Sequence, residues 1–175
     1  KINAAGGIKG NMLELIVKDS AANPEKAISF AKQLIEEDQV VAIIGPSTSG
    51  ETMQIKDLCN DAGVPLVSAA AAEAIVDPVA PFVFKTRQKD SYVVRWIYQT
   101  MNDMGISKIG VVAANSGFGN AGMGQLDKYA AEFGIDIAIA ESYDRGATDL
   151  TALMNKVKAA DVEAVVNWSI VPAQS

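Results

Sequence analysis

The chain alternates between short apolar runs and segments whose apolar residues recur at helical spacing. Leu13–Lys18 is predicted as a strand that ends in Lys18-Asp19-Ser20. Asn23 can then cap a helix, with Pro24 in its first turn and Glu25 adding favourable charge at the positive helix end. Ile28, Ala31, Leu34 and Ile35 recur at helical spacing. Val40-Val41-Ala42-Ile43-Ile44 has no polar interruption, as expected of a strand buried on both faces. Gly45-Pro46-Ser47-Thr48-Ser49-Gly50 breaks that run, and a helix follows to about Ala62. Gly63 ends this helix, and 64–67 forms a short strand with Pro65 at its start or edge.

A second set begins near Ser91. Tyr92–Met104 is predicted as a helix with Val94, Ile97, Tyr98 and Met101 on one stripe, stopped by Gly105. Lys108–Ala113 is expected as a buried strand, and 117–124 as a glycine-rich loop running into a helix that ends near Phe133. Ile135–Ala140 reads as a strand, Asp149–Ala159 as a helix and Val162–Trp168 as a strand. Trp96 and Cys59 fall in helical segments and are expected to be packing residues. Alternation of this kind indicates parallel α/β sheets. The two sets resemble each other, so the chain is expected to be two similar α/β halves, 1–86 and 87–175. The segment 82–90 lacks a helical period and reads as an extended crossover between them. The fold is expected to be incomplete at both ends: the chain starts too late to show the sheet's first strand, and no helix covers the last strand.

Composition narrows the function. The 175 residues carry 15 Lys+Arg against 21 Asp+Glu, a net charge of −6, which argues against a nucleic-acid-binding surface. With 49% hydrophobic residues the chain can bury a core. A single Cys leaves no internal disulfide. The absence of His removes the Ser-His-Asp triad, the histidine-ligated zinc site and the imidazole base together. No apolar run approaches the ~18–20 residues of a membrane span. No motif for a metal or a triphosphate occurs, and no cofactor is expected.

The candidate chemistry lies at four junctions between a strand and a helix start: 45–50, 68–73, 114–119 and 167–172. In open parallel sheets ligands bind outside the carboxyl ends of strands, where free helix N–H groups suit a carboxylate or phosphate. Ser47, Thr48 and Ser49 either cap the following helix or add O–H donors for an anion. Ser68-Ala69-Ala70-Ala71-Ala72-Glu73 has side chains small enough for close backbone approach, or for tight packing alone. Gly117, Gly119 and Gly122 match the dinucleotide fingerprint G-x-G-x-x-G, with Glu141 placed where a ribose-binding acid would stand. Against that reading, Asn115-Ser116 loosen the turn and Phe118 is bulky for a pyrophosphate. The last junction holds Trp168, read as core, and the apolar pair Ile170-Val171. Arg87 and Asp90 form either a surface ion pair or a pair that orders a hinge.

The segments 2–10, Asp19-Ser20 with 23–27, 41–50, 63–68 and 82–87 resemble, in order and spacing, the branched-chain amino-acid-binding proteins of ABC importers, type I periplasmic binding proteins. The resemblance covers nearly the whole chain. It implies two Rossmann-like lobes with parallel sheets, joined by crossover strands and closing on a small solute. It also implies that Ser49 holds a ligand carboxylate, that the backbone at Ala70 and Ala72 adds contacts, and that Phe118-Gly119 stands where the family places an aromatic beside the ammonium. Two positions depart from the family. Ala72 replaces a Thr, and Phe118 a Tyr, so the second lobe is more apolar. Ala22 and Thr48 stand where the family has a disulfide. The candidate ligand site is Ser47, Ser49, Ser68, Ala70, Ala72, Phe118 and Ile170.

The implied function is non-enzymatic: a periplasmic protein, or an extracytoplasmic lipoprotein, that binds a small carboxylate with an apolar or aromatic body, or an aliphatic amino acid, and delivers it to a membrane permease. A chain this short would leave sheet edges to another copy, and homo-oligomerisation is then expected. A sensor domain of the same fold is the first alternative, and a dinucleotide-dependent enzyme using 117–122 the second.

Overall fold

A computed structural model describes residues 1–171. Asn23 accepts a hydrogen bond from the Lys26 N–H and starts α1 (Pro24–Lys32), with Pro24 and Glu25 in its first turn as expected. The helix continues through a π-helical turn, Gln33–Glu37. Strand β1 (Ile43–Ile44), helix α2 (Ser49–Asp61), strand β2 (Leu66–Ser68) and strand β3 (Val83–Lys85) complete the first half. The second half holds α3 (Asp90–Asp103), β4 (Lys108–Ala114), α4 (Gly117–Ala130), β5 (Asp136–Tyr143), α5 (Thr151–Ala159) and β6 (Ala164–Trp168).

Both sheets are parallel and three-stranded, in the orders β1-β2-β3 and β5-β4-β6. In the first sheet Ile43, Leu66 and Val83 lie in register and bury one face against Ala27, Ala31, Ile55 and Cys59. In the second sheet β4 is central, with Ile109, Val111 and Ala113 packed against Val94, Tyr98 and Leu126. The Tyr98 hydroxyl, fully buried, donates to the Leu126 carbonyl at 2.8 Å and so fastens α3 to α4.

Five expectations are corrected. Leu13–Lys18 is not a strand: Leu13 exchanges hydrogen bonds with the Asn3 side chain rather than with a neighbouring strand, and Leu15 and Val17 are exposed. A strand exists only as part of a ladder, so apolar composition without a partner leaves extended chain. The run at 40–44 forms only the two-residue β1 and is buried on one face, because Ile44 pairs with Val67 and Val67 with Phe84 on a side where Ile44 and Phe84 stay exposed. Segment 82–90 is not a crossover throughout: Val83–Lys85 is the third strand of the first sheet and Asp90 already opens α3. The glycines at 117–124 form no loop, since Ser116 accepts from the Gly119 N–H at 3.0 Å and the helix begins at Gly117. Trp96 is not core. It is 77% exposed, as its position opposite the Val94–Tyr98 stripe dictates. Here side-chain size misled where the helical period did not.

No helix among the described residues is long and apolar enough to cross a membrane. Cys59 is fully buried on α2, and burial pushes its thiol from its ordinary value near 9 to about 11. We expect native protein at pH 8 to resist a disulfide reagent that labels the unfolded chain fully. Because the folded pKa is raised, this contribution to stability is complete below pH 9 and is lost as pH rises through about 11. Urea midpoints across that window, compared with Cys59→Ala, check the sign.

Candidate ligand-binding cleft

Parallel strands send their carboxyl ends, and the helix starts that follow them, to the same edge of each sheet. The two edges face each other. At the start of α2, Thr48 accepts from the Glu51 N–H at 3.4 Å, so one of the three hydroxyls caps the helix. Ser49 follows in the first turn, buried, and its Oγ accepts from the Ala72 N–H at 3.2 Å. At the start of α4, Gly117 lies against the other helix start: a Cβ on it would stand 2.6 Å from the Gly50 Cα.

The glycine pattern is thereby explained without a nucleotide. A Cβ on Gly119 would meet the Ala114 carbonyl oxygen at 2.0 Å, and one on Gly122 would meet Trp168 Nε1 at 2.1 Å. The space that a dinucleotide fingerprint leaves for a pyrophosphate is filled by protein. Glu141 is engaged with Lys156 at 3.0 Å. Among the described residues no cluster of three or more His, Cys, Asp or Glu side chains forms a metal site.

Two cavities open along the cleft. One, of about 240 Å³, is lined by Ala71, Arg87, Asp90, Phe118, Asn167 and Trp168 among others. The other, of about 260 Å³, is bordered by Thr48, Ser49, Ser116, Phe118, Arg145 and Ile170 among others. Each is a little smaller than the ~300 Å³ from which drug-sized pockets begin, a size suited to a small solute. Phe118 belongs to both walls. Its ring stacks on Trp168 with centroids 5.6 Å apart and planes at 29°, giving the second half a flat apolar surface.

The candidate residues fall into distinct places. Ser49, Phe118 and Ile170 border the cavities, and Ile170 is half exposed. Ala72 is buried and reaches the site through its N–H on Ser49. Ala70 does not offer its N–H to the cleft, because Ser68 Oγ accepts it at 3.0 Å. Ser68 is fully buried, donates to the Pro46 carbonyl at 3.0 Å and lies 2.8 Å from Thr52 Oγ1, so its hydroxyl is occupied in holding the loop. Ser47 is exposed and borders neither cavity. Of the junction 167–172, Pro172 lies outside the described residues.

Several wall residues lay outside the sequence-derived site. Trp168 is buried, as expected of core, yet also lines the cleft. Asp90, read as half of an ion pair with Arg87, is 1% exposed, and its Oδ2 has no hydrogen-bond partner. Burial raises its pKa against the nearby Lys85 ammonium, with Glu73 adding to the rise. Lys85 carried no signal in the sequence beyond its place in an apolar run. Burial lowers its pKa, although Asp90 and Glu73 favour its charge. Glu73 resists the upward push of its own burial through a hydrogen bond with Ser91 and the Lys89 ammonium 3.5 Å away, and its pKa is lowered.

Comparison with known proteins places this geometry. A family model described as periplasmic binding protein matches residues 1–174. The leucine-, isoleucine-, valine-, threonine- and alanine-binding protein of Pseudomonas aeruginosa is 28% identical over 170 residues, covering 94% of this chain and 44% of its own length. The branched-chain amino acid transporter substrate-binding protein LivJ of Streptococcus pneumoniae, solved with isoleucine, superposes with a TM-score of 0.81 at 28% identity, over 95% of this chain and 47% of that one. An ABC-transporter solute-binding protein of Rhodopseudomonas palustris, solved with 4-hydroxybenzoate, superposes with a TM-score of 0.83 at 20% identity, over 95% of this chain and 45% of that one, a likeness of fold alone. The chain thus spans about half the length of these relatives.

The glycines of α4 give opposite expectations. Gly124 has nothing within 4 Å of an added Cβ, so Gly124→Ala should stabilise by about 1 kcal/mol through helix propensity. Gly122→Ala should destabilise, since the Trp168 ring has to move. Gly117→Ala should part the two helix starts, read as a larger radius of gyration in small-angle scattering. Thermal unfolding of the three variants orders them.

Proposed function

The chain belongs to the periplasmic binding protein family, and on that premise we propose that it grips a small carboxylate with an apolar body between two lobes, 1–86 and 87–175, as the solute-binding component of an ABC importer. The observation that carries this reading is the pairing of Ser49 Oγ with the Ala72 N–H at 3.2 Å, opposite the Phe118–Trp168 stack. Ser49 Oγ accepts the Ala72 N–H, which leaves its own O–H to donate to a carboxylate. A flat aromatic pair on the other wall suits an apolar or aromatic body. Ile170 closes the rim. Ser68 and Ala70 act behind the site, holding the loop that presents Ala72.

One observation favours an amino acid within that class. Asp90 Oδ2 is buried at the wall of the cleft without a partner, and a ligand ammonium would supply one. The relatives named as binding leucine and isoleucine support this, and the family supports an extracytoplasmic place of work and a permease as partner. The mechanism is binding without chemistry. The ligand favours the closed arrangement by touching both lobes at once, and the closed form is what the permease reads.

Isothermal titration with L-isoleucine, L-phenylalanine, 4-hydroxybenzoate and NAD tests the reading. One of the acids should bind, and Ser49→Ala should weaken it by about tenfold or more, the worth of a hydrogen bond to a charged group. At ~100 times its dissociation constant that ligand should stabilise the fold by about 2.7 kcal/mol. An amino-acid preference should vanish in Asp90→Asn while carboxylate binding persists. Binding of NAD alone would overturn the proposal.

A further inference from the structure

Lys85, at the end of β3, points its ammonium into the turn that presents Ala72. Its Nζ donates to the Ala71 carbonyl, and to the carbonyls of Gln88 at 3.2 Å and Ala72 at 3.5 Å. An ammonium has three N–H donors, so three carbonyls use all of them. Among the described residues no carboxylate lies within ion-pair distance of Lys85; Glu73, the nearest acid on the same turn, is paired with Lys89 instead. The charged groups around it are Asp90, Glu73, Lys89 and Arg87. A half-buried cation is therefore held at contact distance by neutral dipoles, with Asp90 and Glu73 acting on it from further away.

The connection to the cleft runs through one peptide bond. The 71–72 peptide is trans, so its C=O and N–H point in opposite directions from one plane. Its C=O accepts from Lys85 Nζ, and its N–H donates to Ser49 Oγ at 3.2 Å. A peptide polarised at its oxygen by an ammonium is a stronger donor at its nitrogen. Lys85, the Ala71–Ala72 peptide and Ser49 thus form one chain of hydrogen bonds ending at the proposed carboxylate subsite.

We propose that Lys85 is a positioning residue for the ligand carboxylate, acting through the Ala71–Ala72 peptide and Ser49 without touching the ligand. This rests on the carboxylate reading of the site. Lys85 fixes which way the peptide faces, and it biases the cleft toward an anion. The same peptide turned over would present a carbonyl oxygen, which repels a carboxylate.

The test uses Lys85→Met, Ser49→Ala and the double variant, with L-isoleucine and 4-hydroxybenzoate as probes, together with amide hydrogen exchange over 69–75. Lys85→Met should speed exchange at Ala72 and weaken the bound acid by about tenfold. Its effect and that of Ser49→Ala should be less than additive in the double variant, because both act through one N–H. Strictly additive losses, or unchanged exchange at Ala72, would overturn the proposal. A purely structural lysine would lower the melting temperature and leave the two sites uncoupled. If Lys85→Met does not fold, Lys85→Gln serves, since its amide can still reach one carbonyl but carries no charge. If the wild-type protein binds neither acid, the carboxylate reading fails, and exchange at Ala72 alone decides whether Lys85 orients the loop.

Discussion

Where α2 and α4 begin, two backbones touch because neither Gly50 nor Gly117 carries a Cβ. Parallel strands deliver helix starts to one edge of each sheet, and the absence of two methyl groups lets those edges meet. From this contact follows the closeness of Ser49 to one wall and of Phe118 to the other. It also brings two partly positive helix ends together, an arrangement that repels unless something negative lies between or beside them. Glu51, buried in the first turn of α2, already places one carboxylate there, and the polarity of the two helix ends supports the proposed anion reading of the cleft.

The side chains refine that preference in two steps. Ser68 and Thr52 fix the loop after β2 from below, and Lys85 fixes it from the side. Their hydroxyls and ammonium are engaged largely by backbone groups, and the loop they hold donates the Ala72 N–H to Ser49 Oγ. The opposite wall is built differently. Phe118 and Trp168 contribute surface rather than hydrogen bonds, and Trp168 keeps its place because Gly122 has no side chain to displace it. One wall is polar and the other is flat and apolar, the contrast on which the proposed preference for an apolar acid rests.

Burial is uneven across the molecule. Strand β4 has neighbours on both sides and is buried from Ile109 to Ala114. The first sheet buries Ile43, Leu66 and Val83 on one face only, while Ile44 and Phe84 stand open on the other.

Local signals in the sequence were enough for the elements and the class of fold. Asn23-Pro24-Glu25 marks the start of α1, Gly63 the end of α2, and the Val94–Tyr98 stripe the inner face of α3, because caps, positive-φ glycines and helical periods are properties of a few consecutive residues. Ser49 and Phe118, singled out through the junctions and the family resemblance, border a cavity in the folded chain. What the sequence could not determine depended on partners distant along the chain. Leu13–Lys18 has strand composition but no ladder. Ser68 looks available until Pro46, Thr52 and Ala70 are seen around it. Gly117, Gly119 and Gly122 spell a nucleotide motif, yet tertiary packing fills their space with Gly50, Ala114 and Trp168. Lys85 has no local signature beyond its apolar run, and Asp90 reads only as a partner for Arg87. A charge acquires its role from what surrounds it in space, and only the folded chain brought a peptide bond between Lys85 and Ser49.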